Sequence, residues 1–338
     1  MKLAPVMRAL NGRARQLLVH TGQHYNANMS DIFFRQLGMP QPDYNLEVGS
    51  DTHARQTAAI MSAIEPVLLE TRPDLVLVYG DVNSTVAAAL VCSKIGVPVG
   101  HVEAGLRSFD RTMPEEINRL LTDQIAELLF TPSQDGDRNL AREGVSAERI
   151  RFVGNVMIDT LLRLLEVAVP RASAELPDRY ALVTLHRPSN VDDPPTLARI
   201  VAALDHVADL VPVLFPIHPR TRKKLAEIGN GCDRLHLMEP LGYLEFLALQ
   251  KRATVVITDS GGIQEETTYL RVPCLTLRKN TERPITVALG TNRLIGDDFD
   301  RLPREVDKII GGDSAKGQIP PLWDGHAAER IAQVICSL

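Results

Sequence analysis

This chain predicts an α/β fold of two open, doubly wound parallel sheets, and three observations carry that expectation. Short apolar runs alternate with helical patterns along the whole sequence. The runs are apolar at consecutive positions rather than alternate ones, as in strands buried on both faces. They form two series separated by Glu166–Asp178, a stretch with two prolines and several small or charged residues. With 338 residues and 44% hydrophobic content, the chain can fill two cores of ordinary size.

The first series of strands is Gln16–Val19, Leu75–Tyr79, Val97–Val102, Leu128–Thr131 and Ile150–Val153. The second is Ala181–Leu185, Val213–Ile217, Leu235–Leu237, Val255–Thr258, Cys274–Leu277 and Asn292–Ile295. Between them lie helices. Val82–Ile95 is alanine-rich, with Asn83 or Ser84 as an N-cap and Gly96 as a stop. Ile117, Leu120, Leu121, Ile125 and Leu128 keep helical spacing, as do Leu197, Ile200, Val201 and Leu204. So do Leu3, Val6, Met7 and Leu10, and the chain therefore opens on a helix. A parallel βα domain ordinarily opens on a strand, so an N-terminal strand and its loop look absent. The expected domains are 1–165 and 166–323, with a helix over 324–338 packing back on the first.

Composition narrows the function classes. Net charge is −5 and there is no long basic run, which argues against nucleic acid. Cys92, Cys232, Cys274 and Cys336 are scattered, with no Cys-x-x-Cys pair. That argues against structural zinc or disulfides and for a reducing cytoplasm. No apolar run approaches the roughly 18 residues of a membrane span, and no signal peptide is visible.

Ligands of open α/β sheets bind beyond the carboxyl ends of the strands, so the residues there are the candidates. Thr258 through Glu266 follows an apolar strand and holds Ser260, Gly261 and Gly262 before a helix expected to start near Ile263. Unsatisfied N–H groups and the helix dipole make such a turn a phosphate cradle. Gly80-Asp81 and Glu103-Ala104-Gly105 follow two other strands. If these strands are neighbours, Asp81 and Glu103 lie on one edge, where paired carboxylates can divide acid and base work. Asp81 also fits a helix N-cap, and Glu103 a salt-bridged acid. Pro114-Glu115-Glu116 opens a helix. The two glutamates project about 100° apart, so at most one faces a ligand squarely. His186 and His218 end strands, and Arg283 sits in a polar loop. No metal-ligand spacing, serine elbow or Walker lysine loop is present.

Several segments in order resemble the non-hydrolysing UDP-N-acetylglucosamine 2-epimerases. They are Thr21-Gly22-Gln23-His24-Tyr25, Gly80 through Thr85, His101 through Arg107, Pro114 through Arg119, Gly154-Asn155, His186-Arg187, Thr258 through Glu266, and Thr281 through Pro284. The resemblance implies two Rossmann-like domains facing a cleft, as in the glycosyltransferase-B fold. It implies homodimers and no metal or redox cofactor. The implied reaction inverts C2 of UDP-N-acetylglucosamine to UDP-N-acetylmannosamine, through elimination of UDP to a glycal and re-addition on the opposite face. By residue match, Asp81, Glu103 and Glu115 are the catalytic carboxylates and His186 supports the diphosphate. Ser260, Gly261 and Gly262 form the phosphate turn, Glu266 grips the ribose, and Phe246 and Arg283 are further nucleotide contacts. The family opens with a strand and an arginine-bearing loop before a helix that carries a lysine. Met1-Lys2-Leu3-Ala4-Pro5 matches that helix and keeps Lys2. The expectation is weak or no activity for the chain as written, and equal turnover by an upstream-extended version would refute it. Rival readings are a 2-epimerase of another UDP-sugar of the diacetamido uronate type, a glycosyltransferase of the same fold, and a UDP-sugar-binding remnant. The expected setting is cytoplasmic synthesis of surface polysaccharide precursors.

Overall fold

The structure, a computed structural model, describes residues 1–22, 37–168, 176–228, 234–313 and 317–338. Gln23 to Tyr25 of the resemblance, part of the interdomain stretch and Cys232 lie outside these residues. Strands are numbered in chain order, and helices are named by their residues. The chain divides into two compact units. Unit 1 is Met1–Thr160 with Pro321–Leu338, and unit 2 is Leu161–Pro320.

Unit 1 opens on the helix Leu3–Ala9, as the spacing of its apolar residues predicts. Two short parallel strands, β1 (Val19–His20) and β2 (Tyr44–Asn45), pair with each other. β1 therefore sits at the edge of the expected Gln16–Val19 run. β2 had no apolar run to announce it. Four further parallel strands stand side by side in the order β3 (Val76–Tyr79), β4 (Val99–Val102), β5 (Leu128–Thr131) and β6 (Ile150–Phe152). Successive side chains on a strand point to opposite faces, and the core divides accordingly. Val99 and Leu129 pack on one face with Ala89, Cys92 and Ile64. Val102, Leu128 and Phe130 pack on the other with Val6, Leu10, Ala328 and Ile331. The second face is thus covered by Leu3–Ala9 and by Ala327–Ile335. Asp159 anchors the latter, accepting the Ala327 and Ala328 N–H groups at 3.2 and 2.7 Å.

The helix after β3 runs from Asn83 to Ile95 and ends at Gly96, whose φ of 75° is left-handed, as the glycine predicts. Its N-cap is Val82, not Asn83 or Ser84, and no side chain caps it. Asn83 is instead drawn inward, donating to Gln56 at 2.8 Å.

Unit 2 is a six-stranded parallel sheet. Its order is β12 (Asn292–Leu294), β11 (Cys274–Thr276), β10 (Val255–Thr258), β7 (Ala181–Thr184), β8 (Val213–Pro216) and β9 (Leu235–Met238). The chain builds outward from β7 in one direction and from β10 in the other. The doubly wound switch point therefore falls between β7 and β10, where ligands of such sheets bind. Ala181, Val183, Val255 and Ile257 face one core, while Tyr180, Leu182 and Val256 face the other. Among the described residues no helix is long and apolar enough to cross a membrane.

Candidate active site

In unit 1, Tyr79 of β3 lies opposite Val102 of β4, so the turns bearing Asp81 and Glu103 leave the sheet side by side. Glu103 has a φ of 76°, a region that residues other than glycine rarely enter. Its N–H and that of Ala104 both donate to the Phe130 carbonyl at 3.0 Å, and its buried carboxylate pairs with Lys2. Strain of this kind persists where the surroundings over-determine it, commonly at functional sites. The Lys2–Glu103 pair lies across Gly80. A Cβ there would stand 2.7 Å from Lys2 Nζ, and Gly80 also has a φ of 66°, so glycine is required twice over.

Asp81 is half-buried and paired with Arg119. Its main-chain carbonyl accepts from Asn118 Nδ2 at 2.9 Å. Both partners come from the helix Pro114–Ile125. Arg119 also donates through Nε and Nη2 to Glu116 Oε2, at 3.0 and 2.8 Å. Glu116 is 1% exposed and accepts the Ser108 and Phe109 N–H groups at 3.0 and 2.9 Å. Burial alone would raise its pKa, but the Ser108 amide and Arg119 hold it below the usual carboxylate range. Its role is thus to fix a loop and a guanidinium. Glu115 is half-buried, and its side chain has no hydrogen bond or ion pair among the described residues. One glutamate turns inward and the other stays available, as their spacing requires.

Beneath these turns lies a buried polar row. His101 contacts the Gly80 carbonyl through Nε2 at 2.8 Å and Asp123 Oδ1 through Nδ1 at 2.6 Å. Asp123 Oδ2 takes the Gly105 N–H at 3.0 Å and Arg107 Nη1 at 2.7 Å. Arg107 is shared with Glu143.

In unit 2 the candidates gather at the switch point. The helix after β10 is Gly261–Leu270. It begins two residues before the expected Ile263, so both glycines belong to its first turn. Their N–H groups then have no partner within the helix and sit at its positive end. Asp259, fully buried, ties this turn to β7. It accepts the His186 N–H at 3.1 Å, the Arg187 N–H at 3.0 Å and Asn190 Nδ2 at 3.1 Å, and its Oδ1 lies 2.9 Å from His186 Nδ1. Burial would raise the Asp259 carboxyl, but His186 and the surrounding donors bring it below its ordinary value. The His186 side chain itself is 61% exposed, held by one ring nitrogen.

Arg283 lies over the first glycine. A Cβ on Gly261 would come within 2.4 Å of Arg283 Nη1. The guanidinium is paired with Glu265 at 2.9 Å and Glu282 at 2.8 Å. Glu266 is buried and accepts from the Tyr243 hydroxyl at 2.8 Å. Burial pushes its pKa up to about 7, although the Tyr243 bond pulls the other way. Phe246 is half-buried against the cluster of Tyr180, Leu182 and Val256. No group of three or more His, Cys, Asp or Glu able to hold a metal occurs among the described residues.

Sequence reasoning missed Arg119, His101 with Asp123, and the clamp made by Asp259. Signals were present. Glu116 and Arg119 are three apart on one helix. His101 stands inside a strand whose four residues are all buried. Asp259 directly follows β10 at the carboxyl end of the strand.

The sequence model of the UDP-N-acetylglucosamine 2-epimerase family matches residues 8–336. A UDP-N-acetylglucosamine 2-epimerase of Methanocaldococcus jannaschii is 44% identical over 99% of this chain and 95% of its own length. A UDP-2,3-diacetamido-2,3-dideoxy-D-glucuronate 2-epimerase of Pseudomonas aeruginosa is 43% identical, covering 96% of this chain and 92% of that protein. The crystal structure of the M. jannaschii enzyme in complex with UDP-GlcNAc and UDP superposes with a TM-score of 0.90 at 43% identity, over 100% of this chain and 96% of that one. The fold is that of these two-domain, glycosyltransferase-B-like enzymes. On the family match, the identity and the coverage, the chain belongs to the UDP-N-acetylglucosamine 2-epimerase family.

Proposed function

We propose that this chain interconverts UDP-N-acetylglucosamine and UDP-N-acetylmannosamine by eliminating and re-adding UDP. The observation that carries the reading is the pair of turns after β3 and β4, which set Asp81 and Glu103 side by side, each against a cation. Elimination needs a base for the C2 proton. The C–H electron pair becomes the C1–C2 double bond as the C1–oxygen bond breaks, so electrons balance without an oxidant. Re-addition needs an acid to return a proton on the other face. Asp81, Glu103 and Glu115 share these steps. Lys2 pairs with Glu103 and is a substrate contact.

Unit 2 holds the departing group. The N–H groups of Ser260, Gly261 and Gly262 face the diphosphate. His186 Nδ1 is engaged by Asp259, and its Nε2 donates to a phosphate oxygen when the ring carries both protons. Glu266 accepts from the ribose hydroxyls, while Phe246 and Arg283 support the nucleotide. The enzyme works as a cytoplasmic homodimer, without metal or redox cofactor, and supplies precursors of surface polysaccharide.

The test is a proton NMR time course with UDP-N-acetylglucosamine in deuterated water. The expected result is the manno isomer with deuterium at C2. Unchanged sugar in the presence of bound UDP would refute the reading. The diacetamido uronate substrate belongs in a parallel tube, because the P. aeruginosa relative is nearly as similar as the M. jannaschii one. Faster turnover there would reassign the sugar.

A further inference from the structure

His101 occupies the middle of β4 with no exposed surface. Both of its ring nitrogens have partners, and the partners dictate protons. A carbonyl oxygen only accepts, so Nε2, 2.8 Å from the Gly80 carbonyl, carries a hydrogen. At 2.6 Å, Nδ1 and Asp123 Oδ1 need another hydrogen between them. That hydrogen belongs either to an imidazolium facing a carboxylate or to a carboxylic acid facing a neutral ring. The remaining contacts of Asp123 decide. Its Oδ2 receives the Gly105 N–H and a guanidinium nitrogen of Arg107. Three donors converging on one carboxyl, one of them permanently cationic, favour the carboxylate.

The other charges around the ring are compatible with an imidazolium. Arg107 is offset by Glu143 from the end of the helix Gln134–Arg142. Above Gly80 lies the Lys2–Glu103 pair, and Asp81 is matched by Arg119. Each cation near His101 therefore has its own anion.

Position gives the row its meaning. Gly80 directly precedes Asp81, and Gly105 stands two residues after Glu103. The ring holds the first turn by its carbonyl. Asp123 holds the second turn by its N–H and joins it to the ring. We propose that His101 is a positioning residue for the epimerisation, locked as an imidazolium, which together with Asp123 bolts the Asp81 turn to the Glu103 turn and so sets the spacing of the two carboxylates. The protonation state stands on geometry alone, whereas the catalytic consequence rests on the function proposed above.

Two measurements on the full chain separate these parts. The first is nitrogen-15 NMR of histidine-labelled protein without ligand at about pH 7, where an ordinary histidine is mostly neutral. His101 is assigned by the resonance lost in His101→Gln. The expected signature is two protonated ring nitrogens. A single protonated nitrogen with neutral-ring shifts overturns the proposal whatever the enzyme's activity. The second compares His101→Gln, which keeps one donor for the Gly80 carbonyl, with His101→Ala, which keeps none. Expected are kcat losses of about 10-fold and about 100-fold, with KM and UDP affinity within about 3-fold of the parent. Equal kcat in all three proteins, or loss of UDP binding alongside kcat, overturns the positioning role. Should the parent itself fail to epimerise, the function falls while the first measurement still decides the imidazolium.

Discussion

The two units hold most of their site acids alike and differ at Glu266. In unit 1 four acids near the turns of β3 and β4 are matched by a cation or a row of N–H donors: Glu103 by Lys2, Asp81 by Arg119, Glu116 by Arg119 and two amides, Asp123 by His101 and Arg107. In unit 2 Asp259 and Glu282 are held as anions in the same manner. Glu266 is not: the tyrosine hydroxyl that donates to it is neutral, and burial raises its carboxyl. The contrast teaches a division of labour. Unit 1 keeps charge fixed at defined points, as proton transfer requires. Unit 2 keeps Glu266 against a neutral hydroxyl, for a ligand that brings its own hydroxyls.

The strongest way to break this comparison is to neutralise the carboxylates of unit 1. Asp81→Asn and Glu103→Gln should each lower kcat by about 100-fold or more and leave UDP affinity within about 2-fold, read by steady-state kinetics and calorimetry. Loss of UDP binding in either would erase the division. A smaller effect of the opposite kind is expected at Gly261→Ala. The added Cβ would stand 2.4 Å from Arg283 Nη1, so the guanidinium must shift from its pairs with Glu265 and Glu282. UDP should bind about 10-fold more weakly while kcat at saturation changes little.

Glu266 sharpens the comparison through pH. Its carboxyl is raised to about 7 in the ligand-free protein, so it is largely neutral below that pH. Ribose hydroxyls donate better to a carboxylate. UDP affinity should therefore rise as pH passes upward through about 7 and then level off. Glu266→Gln should flatten that profile and bind about 10-fold more weakly; a parent profile already flat would remove Glu266 from the ribose site. Stability should show the smallest effects, with opposite signs. Glu116, Asp123 and Asp259 have lowered pKa values. Their contribution is present above the ordinary carboxylate range and is lost as pH falls through their depressed values. Glu266 has a raised value, so its contribution is full below the ordinary carboxylate pKa and is lost as pH rises through about 7. Melting curves should show the parent losing more stability than Glu266→Gln between mildly acidic and neutral pH.

The architecture was legible because buried parallel strands announce themselves locally. Leu128–Thr131 and Val255–Thr258 coincide with β5 and β10, and the other expected strands deviate by one to three residues. β2 was illegible because Tyr44-Asn45 has no apolar run and is a strand only by pairing with β1. Turn chemistry was legible where one residue decides it, as at Gly96. It misled at Asn83, where burial against Gln56 outweighed capping. The candidate site divides similarly. Residues on turns after strands could be found from position alone. Which partner holds which could not, since Arg119 meets Asp81 across 38 positions and Asp259 meets His186 across 73, and no local pattern encodes such pairings.

The return of Pro321–Leu338 to unit 1 also orders events during synthesis. Unit 2 is one uninterrupted segment, so all of it leaves the ribosome before unit 1 is complete. Val6, Leu10 and Phe130 must wait for Ala328 and Ile331 to cover them. The second half of the chain can thus settle first, reversing the usual order in which domains fold during translation. Until Ile331 emerges, a chaperone would find the apolar face of unit 1 open.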